Sequence, residues 1–278
     1  MGTGALLTSQ ERALRHVTAM SAGQPLDPGI PVTLNFHPDR LARGRPILDQ
    51  LAADGQYCSQ FVTGTSNGGL TAHRGGDRWR WESRIFGGAY DQAPAGDRPV
   101  YGALNFRRKP VGGAPRFGSA HFRLIPQVLA RTTFCYPDSF LEPPDFGVAA
   151  AMALIDLAEA DEQDALDDYV EAQVHGTVMI STDVAALVLD PSYRGTSVAA
   201  AANRLPCPVE WHGGFRLAVA ELRRHPDYRG QEYVDLGTEI AIGGHLDARV
   251  IGEAARTGRY DLQALKRVWH CLARFGSP

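Results

Sequence analysis

The chain has no CxxC or CxxH spacing, and its four cysteines, Cys58, Cys135, Cys207 and Cys271, are scattered. That argues against a zinc cluster or a disulfide framework and fits a reducing compartment. The opening residues, Met1 to Arg12, carry no basic region and too short an apolar run for a signal peptide. No apolar run of about 18 residues occurs anywhere, so no membrane span is expected. A cytoplasmic protein is the expectation, with signal-less export as an effector or toxin as the variant of it. None of the nine histidines sits at i, i+4 from another with a glutamate between, so no metal site is expected. Internal repeats, low-complexity segments and basic repeats interleaved with aromatics are missing too, which weakens an extended nucleic-acid surface. Between Thr132 and Asp190 there is no Arg or Lys at all.

What is present is organised by charge. Arg40 to Arg131 holds fourteen Arg and Lys against six acids, and Thr132 to Asp190 holds thirteen acids. Two solvated segments that attract one another account for this, and an anion-facing basic half is the functional counterpart. The length, 278 residues, suffices for one large core or one and a half.

In chain order, Thr8-Ser-Gln-Glu11 forms a capping box for an amphipathic helix to about Ala22, and Gly23 to Pro31 is a linker. Val32-Thr-Leu-Asn-Phe36 predicts a strand that ends at His37-Pro38. Arg45 to Gly55 predicts a helix, with Pro46 near its first turn, and Gln56 to Thr63 a strand. Gly64-Thr65-Ser66-Asn67-Gly68 opens a glycine-rich loop whose amides suit an anion. Ile85 to Asp91 is a glycine turn bearing Tyr90. Val100 to Phe106 and Phe117 to Ile125 predict strands joined by a basic linker with Arg107, Arg108 and Lys109. Phe146 to Ala160 predicts a helix and Val184 to Leu189 an apolar strand. Helices are expected over 197–203, 215–224, 247–255 and 261–274.

The pivotal stretch is Asp168 to Ile180. Read as a strand, it puts Glu171, Gln173 and His175 on one face and Val170, Ala172 and Val174 on the other. A half-exposed strand with its polar face in water is the plain account. The functional account is a carboxylate held for chemistry, since Glu171 has no cationic neighbour in sequence.

These pieces together resemble the ADP-ribosyltransferase superfamily. They are a strand ending in His37, a helix closing at Asp54-Gly55, the turn Phe86-Gly-Gly-Ala-Tyr90, and a strand with Glu171 followed by Gly176-Thr-Val and an apolar strand. The branch is the histidine–tyrosine–glutamate one of the poly(ADP-ribose) polymerases. Glu171 to Val188 is also similar to the closing strands of bacterial enzymes that ADP-ribosylate DNA. The resemblance implies an α+β fold. Residues 1–30 would be an N-terminal helix and linker, 31–193 an ADP-ribosyltransferase-like split β core, and 194–278 a mostly helical C-terminal region.

It also implies NAD as co-substrate and transfer to a protein, a nucleic acid or water. His37 would hold ribose hydroxyls or the carboxamide, Tyr90 would stack on the nicotinamide, and Glu171 would stabilise the oxocarbenium-like centre. Arg40, Gln173 and the Thr65-Ser66-Asn67 loop would complete the cofactor site. The family follows its histidine with glycine; here Pro38 stands there without an N–H to donate, leaving Arg40 or Asn35 as substitute donors. Arg107-Arg108-Lys109 would face the acceptor. Thr65-Ser66 could serve as the serine of the family's other branch.

Two other classes remain open. A binding module that has lost its chemistry fits the same residues. The Gly64-x-Ser66-x-Gly68 pattern, with Asp190 and His212 downstream, follows the order of a serine hydrolase, although the glycines after it oppose the helix that a nucleophile elbow needs.

Overall fold

The run Val32–Phe36 forms the strand (β1) that its β-branched and aromatic content predicts, and all five residues are buried. The structure is a computed structural model that describes residues 7–42, 44–64 and 71–278. The further strands of its main sheet are β2 (Val100–Leu104), β3 (Ala120–Leu124), β4 (Thr132–Tyr136), β5 (Asp145–Val148), β6 (Val170–Val174), β7 (Val184–Leu189) and β8 (Val209–Trp211). Their spatial order is β8-β7-β3-β1-β2-β6-β4-β5. Every neighbouring pair is antiparallel except β7 with β8. Helices α1 (Ser9–Thr18), α2 (Ile47–Asp54), α3 (Asp77–Ile85), α4 (Leu154–Ala160), α5 (Ser197–Ala202), α6 (Gln231–Ile240), α7 (Ala248–Arg256) and α8 (Leu262–Phe275) pack around it. The fold is α+β, as expected.

The sheet divides in the middle. Strand β1 pairs with β3 over four residues, and β2 pairs with β6 over five. Between β1 and β2 only Val32 with Leu104 and Thr33 with Ala103 are in register. Gly102 follows directly, and a Cβ there would come within 2.6 Å of Leu34 Cδ2 and of Thr33 O. A glycine at this point lets the two strands touch where they part.

The two faces of the sheet differ in polarity. Leu34, Phe36, Phe122, Phe134, Val170, Ala172 and Val174 belong to the main apolar core. The opposite face carries a buried polar row: Thr33, Glu171 and Cys135 lie in one line of the register, Tyr101, Gln173 and Thr133 in the next. So the expected alternation on β6 is correct, but its polar face is covered rather than wet. The covering element is α3. Its inward stripe is Arg78, Trp81, Glu82 and Ile85, the i, i+3, i+4, i+7 spacing of one helix face.

Local capping chemistry set several boundaries. The capping box between Thr8 and Glu11 is formed, and α1 ends at Thr18. Asp247 and Asp261 are the N-caps of α7 and α8, their carboxylates accepting the amides of Val250 and Ala264. Other expectations were overruled. Only Gln56–Tyr57 of the predicted strand 56–63 is extended; a helical turn, Gln60–Thr63, follows Ser59, whose hydroxyl donates to Ala95 O. The predicted helix over 146–160 divides into β5, which pairs with β4, and α4. The predicted helix 215–224 is a short strand, Arg216–Ala218, and a helical turn, Val219–Leu222.

The charge asymmetry resolves into attraction between the two segments. Arg78 faces Glu171, Arg84 Glu142, Arg107 Asp168, Arg116 Asp167 and Arg131 Asp183. The C-terminal residues share the main core: Leu222, Val234, Leu246, Ile251, Leu265, Val268, Trp269 and Leu272 belong to the same apolar cluster as β1. All four cysteines are free thiols. Among the described residues, no helix is long and apolar enough to cross a membrane.

Candidate functional site

Where β1 and β2 part, a narrow cleft of about 70 Å³ opens against the polar face. Glu171 and Arg78 lie at it, with Tyr101, Asn35, Ser139, Tyr57 and Phe117 among its walls. Glu171 is 7 % exposed and tethered on both oxygens. Its Oε2 accepts from the Ser139 amide at 3.3 Å and the Ser139 hydroxyl at 2.9 Å; its Oε1 accepts from Gln173 Nε2 at 3.1 Å. Burial raises its pKa above the ordinary carboxylate range. The Arg78 guanidinium, 3.9 Å from Oε1, opposes that rise, while Asp138 adds to it.

Arg78 is held from three sides. It donates to Ser139 Oγ at 2.9 Å, lies 4.0 Å over the Tyr101 ring, and faces Glu171. One turn along α3, Glu82 receives Arg98 and, at 2.9 Å, the Tyr101 hydroxyl. Burial pushes the Glu82 carboxyl up to about 7 against the pull of Arg98. Two buried polar atoms of cleft residues, Arg78 Nε and Gln60 Oε1, have no hydrogen-bond partner among the described residues. Such atoms are costly to leave unmatched and mark a place where a ligand would complete the set.

A second cavity of about 270 Å³ adjoins the first, and Tyr57 and Phe117 are walls of both. Its lining includes His37, Arg40, Arg116 and Lys266. A wider hollow of about 720 Å³, on 226–231, Tyr233 and Arg267, is open to solvent. It lacks a buried carboxylate, so the enclosed pair of cavities is the stronger candidate despite its smaller volume.

The residues expected to act together are thus distributed. Glu171 lines the cleft; His37 and Arg40 line the adjoining cavity. Tyr90 requires correction as a stacking residue. It is fully buried in the cluster of Ala13, Val17, Trp81, Ile85 and Phe86, away from the cleft lining, and cannot lie against a ligand ring. Gln173 is likewise fully buried and holds Glu171 rather than a cofactor. Thr65, Ser66 and Asn67 lie outside the described residues.

Tyr90 is nonetheless connected to the site. Its hydroxyl and His175 Nδ1 share a 2.6 Å hydrogen bond, and His175 Nε2 meets Thr133 Oγ1 at 3.0 Å. Thr133 donates to Gln173 Oε1 at 2.9 Å, and Gln173 donates to Glu171. Burial holds His175 down to about 3, so the ring is neutral, with one nitrogen to donate and one to accept. The chain Tyr90–His175–Thr133–Gln173–Glu171 is polarised in one direction and orients the carboxylate.

Asn35 is unable to replace the amide missing at Pro38, because its Nδ2 donates to Val111 O at 2.9 Å. Arg40 has no ion-pair partner among the described residues and faces the second cavity. The basic linker is occupied elsewhere: Arg107 pairs with Asp168, Arg108 with Asp27, and Lys109 donates to the carbonyls of Ala165 and Asp168. Its side chains fasten neighbouring loops. The hydrolase partners are committed too. His212 Nδ1 accepts from the Gly214 amide and Nε2 binds Ser119 O, while Asp190 caps the amides of Ser192 and Phe215. No imidazole nitrogen of His212 is left to act as a base.

Sequence reading missed Arg78, Tyr101, Ser139 and strand β4. The signal for β4 was legible, since Thr132-Thr-Phe-Cys-Tyr136 is β-branched and aromatic throughout. For Arg78 the signal was the stripe at 78, 81, 82 and 85, which puts a charge pair on the inward face of a helix.

Fold and site together define an α+β protein whose central cleft is built around a buried, tethered glutamate. By sequence the chain belongs to the family DUF3626, described as a protein of unknown function, whose model matches residues 31–158 and 148–275. No curated protein matches the chain.

Proposed function

We propose that the protein is an NAD-dependent ADP-ribosyltransferase with an ADP-ribosyltransferase-like split β core, in which Glu171 acts on the nicotinamide ribose. The observation that carries the reading is the position of Glu171: a buried, doubly tethered carboxylate at the cleft where the two halves of the sheet diverge. When the bond between ribose C1′ and the pyridinium nitrogen breaks, its electron pair leaves with nicotinamide and positive charge develops on the sugar. A fixed carboxylate beside that carbon stabilises the transition state more than the ground state. A nucleophile on a protein side chain, a nucleobase or water then forms the new bond to C1′ and gives up its proton.

Each wall has a part in this scheme. Tyr101 and Phe117 offer aromatic faces for the nicotinamide, the part first expected of Tyr90. His37 and Arg40 border the adjoining cavity, which shares the Tyr57 and Phe117 walls with the cleft. Ser139 and Gln173 keep the carboxylate from rotating.

The test is direct. The purified chain is incubated with NAD labelled in the nicotinamide and in the ADP-ribose moiety, alone and with separate pools of protein, DNA and RNA. Nicotinamide release that disappears in Glu171→Gln supports the reading. A wild-type protein that leaves NAD intact under every condition overturns it.

A further inference from the structure

We propose that Gln60 and Arg78 read a primary carboxamide carried on a flat ring in the Glu171 cleft, Arg78 donating to its oxygen and Gln60 accepting from its nitrogen. Naming that ring as the nicotinamide of NAD rests on the function proposed above; the carboxamide preference itself does not.

Most polar side chains along the cleft already have their partners. Asn35 Nδ2 donates to Val111 O, and its Oδ1 accepts from the Thr33 hydroxyl at 3.2 Å. That hydroxyl in turn accepts from the Gly113 amide at 2.8 Å. Asp138 accepts from the Phe140 amide at 3.0 Å and from the Tyr169 hydroxyl. Ser139 joins Arg78 to Glu171, and Tyr101 donates to Glu82. Two buried side-chain atoms of the lining stand unmatched among the described residues: Arg78 Nε, a donor, and Gln60 Oε1, an acceptor.

Arg78 is 3 % exposed, and its guanidinium is pinned. Nη1 donates to Ser139 Oγ and faces Glu171, while Cζ lies 4.0 Å over the Tyr101 ring. The direction of its Nε–H is set by those contacts. Gln60 opens the helical turn Gln60–Thr63, and the preceding Ser59 is tied to Ala95 O at 2.8 Å, so the backbone that carries the Gln60 amide is anchored.

An unmatched donor and an unmatched acceptor in one cleft call for a ligand that brings both complements. A primary carboxamide holds a C=O and an N–H on a single carbon. A ketone and a carboxylate lack the N–H, and each would leave the Gln60 oxygen dehydrated without a partner. The charge of Arg78 is answered by Glu171, so the site selects by hydrogen-bond pattern rather than by charge. Tyr57 and Phe117 line the same cleft and supply flat walls for the ring that bears the amide.

Ligand-observed NMR titration of the full chain with nicotinamide and 3-acetylpyridine tests this, the second ligand carrying a methyl where the first has its NH2. Wild type should bind nicotinamide at least about tenfold more tightly, the usual order for a buried polar group deprived of its partner. Gln60→Leu, checked by circular dichroism for retained fold, should bring the two affinities to within about threefold, because the acceptor that told them apart is gone. Arg78→Lys keeps a cation beside Glu171 but lacks the Nε–H, and should weaken both ligands by a similar factor, since both carry the carbonyl. A wild type that binds neither ligand or binds them equally, a Gln60→Leu variant that keeps the full preference, or an Arg78→Lys variant that binds both as wild type does would overturn the proposal. If nicotinamide is preferred through Gln60 while NAD is never cleaved, the carboxamide site stands and the transferase reading falls. If NAD is cleaved with unchanged kcat and KM in Gln60→Leu, the transferase reading stands and the carboxamide site falls.

Discussion

The Ser139 hydroxyl donates to Glu171 Oε2 at 2.9 Å, joining the turn after β4 to the middle of β6. Ser139 also receives Arg78, so one hydroxyl links the carboxylate to its only guanidinium within 4 Å among the described residues. Glu171→Gln should lower nicotinamide release about 10²-fold or more, the usual cost of losing an electrostatic stabiliser in a transition state. Ser139→Ala should cost less, about tenfold, because Gln173 and the Ser139 amide still hold the group. Steady-state kinetics on both variants, with thermal melts to verify folding, gives the ranking; equal losses would contradict it.

The pH dependence follows from the direction of the Glu171 shift. Catalysis needs the ionised form, and burial has raised the pKa, so nicotinamide release should decline on acidification at a pH above the ordinary carboxylate range. Arg78 opposes the rise, so Arg78→Gln should move that acidic limb to higher pH. Stability has the opposite slope: with the folded pKa above the unfolded one, this group's contribution is fully present below the unfolded pKa and is lost as pH rises through the folded one. The pH–rate profile of each variant checks the first statement, and urea midpoints across the same pH range check the second.

Tyr90→Phe removes the hydroxyl that starts the chain to Glu171 while keeping the ring in its core. Stability should fall by about 1 kcal/mol, the net worth of one buried hydrogen bond, with His175 left short of a partner. Nicotinamide release should stay within a few-fold of wild type. A loss as large as that of Glu171→Gln would mean Tyr90 touches the substrate after all.

Arg98 and Glu82 form a buried pair, both less than 5 % exposed. Arg98→Ala leaves Glu82 buried with only Tyr101 and the more distant Arg78 to answer it. Breaking such a pair from one side typically costs about 3–5 kcal/mol. Denaturant unfolding measures the loss, which should shrink in Arg98→Ala/Glu82→Gln, where no buried charge is stranded.

Gly102→Ala puts a methyl where Leu34 and the Thr33 carbonyl already stand, each 2.6 Å from it. Backbone has to move, so destabilisation of about 1–3 kcal/mol is expected. The two halves of the sheet should separate further and the cleft beside Glu171 change shape. Ligand affinity and melting temperature, measured together, report on both effects.

How much of this was legible before the structure depends on the range of the interaction responsible. Caps and strand alternation act over a few residues, and the Thr8–Glu11 capping box and the β6 pattern were readable for that reason. Tyr90 was misplaced because a tyrosine in a glycine turn looks the same whether it meets a ligand or a neutral histidine 85 residues later. Tyr101 was hidden for the converse reason, since a strand tyrosine beside glycine reads as core until the next strand departs from it.

By itself the sequence determined that Glu171, Gln173 and His175 share one side of a strand, because the period of extended backbone leaves no alternative. It also determined that the basic and acidic segments attract one another. Only the tertiary structure decided that the polar side would be buried. That outcome required α3 to deliver Arg78 and Glu82 from nearly a hundred residues upstream, and the Ser139 turn to close on the carboxylate. Dehydrating a charge is tolerable only when its partners arrive with it, and those partners are assembled by the whole chain rather than by any stretch of it.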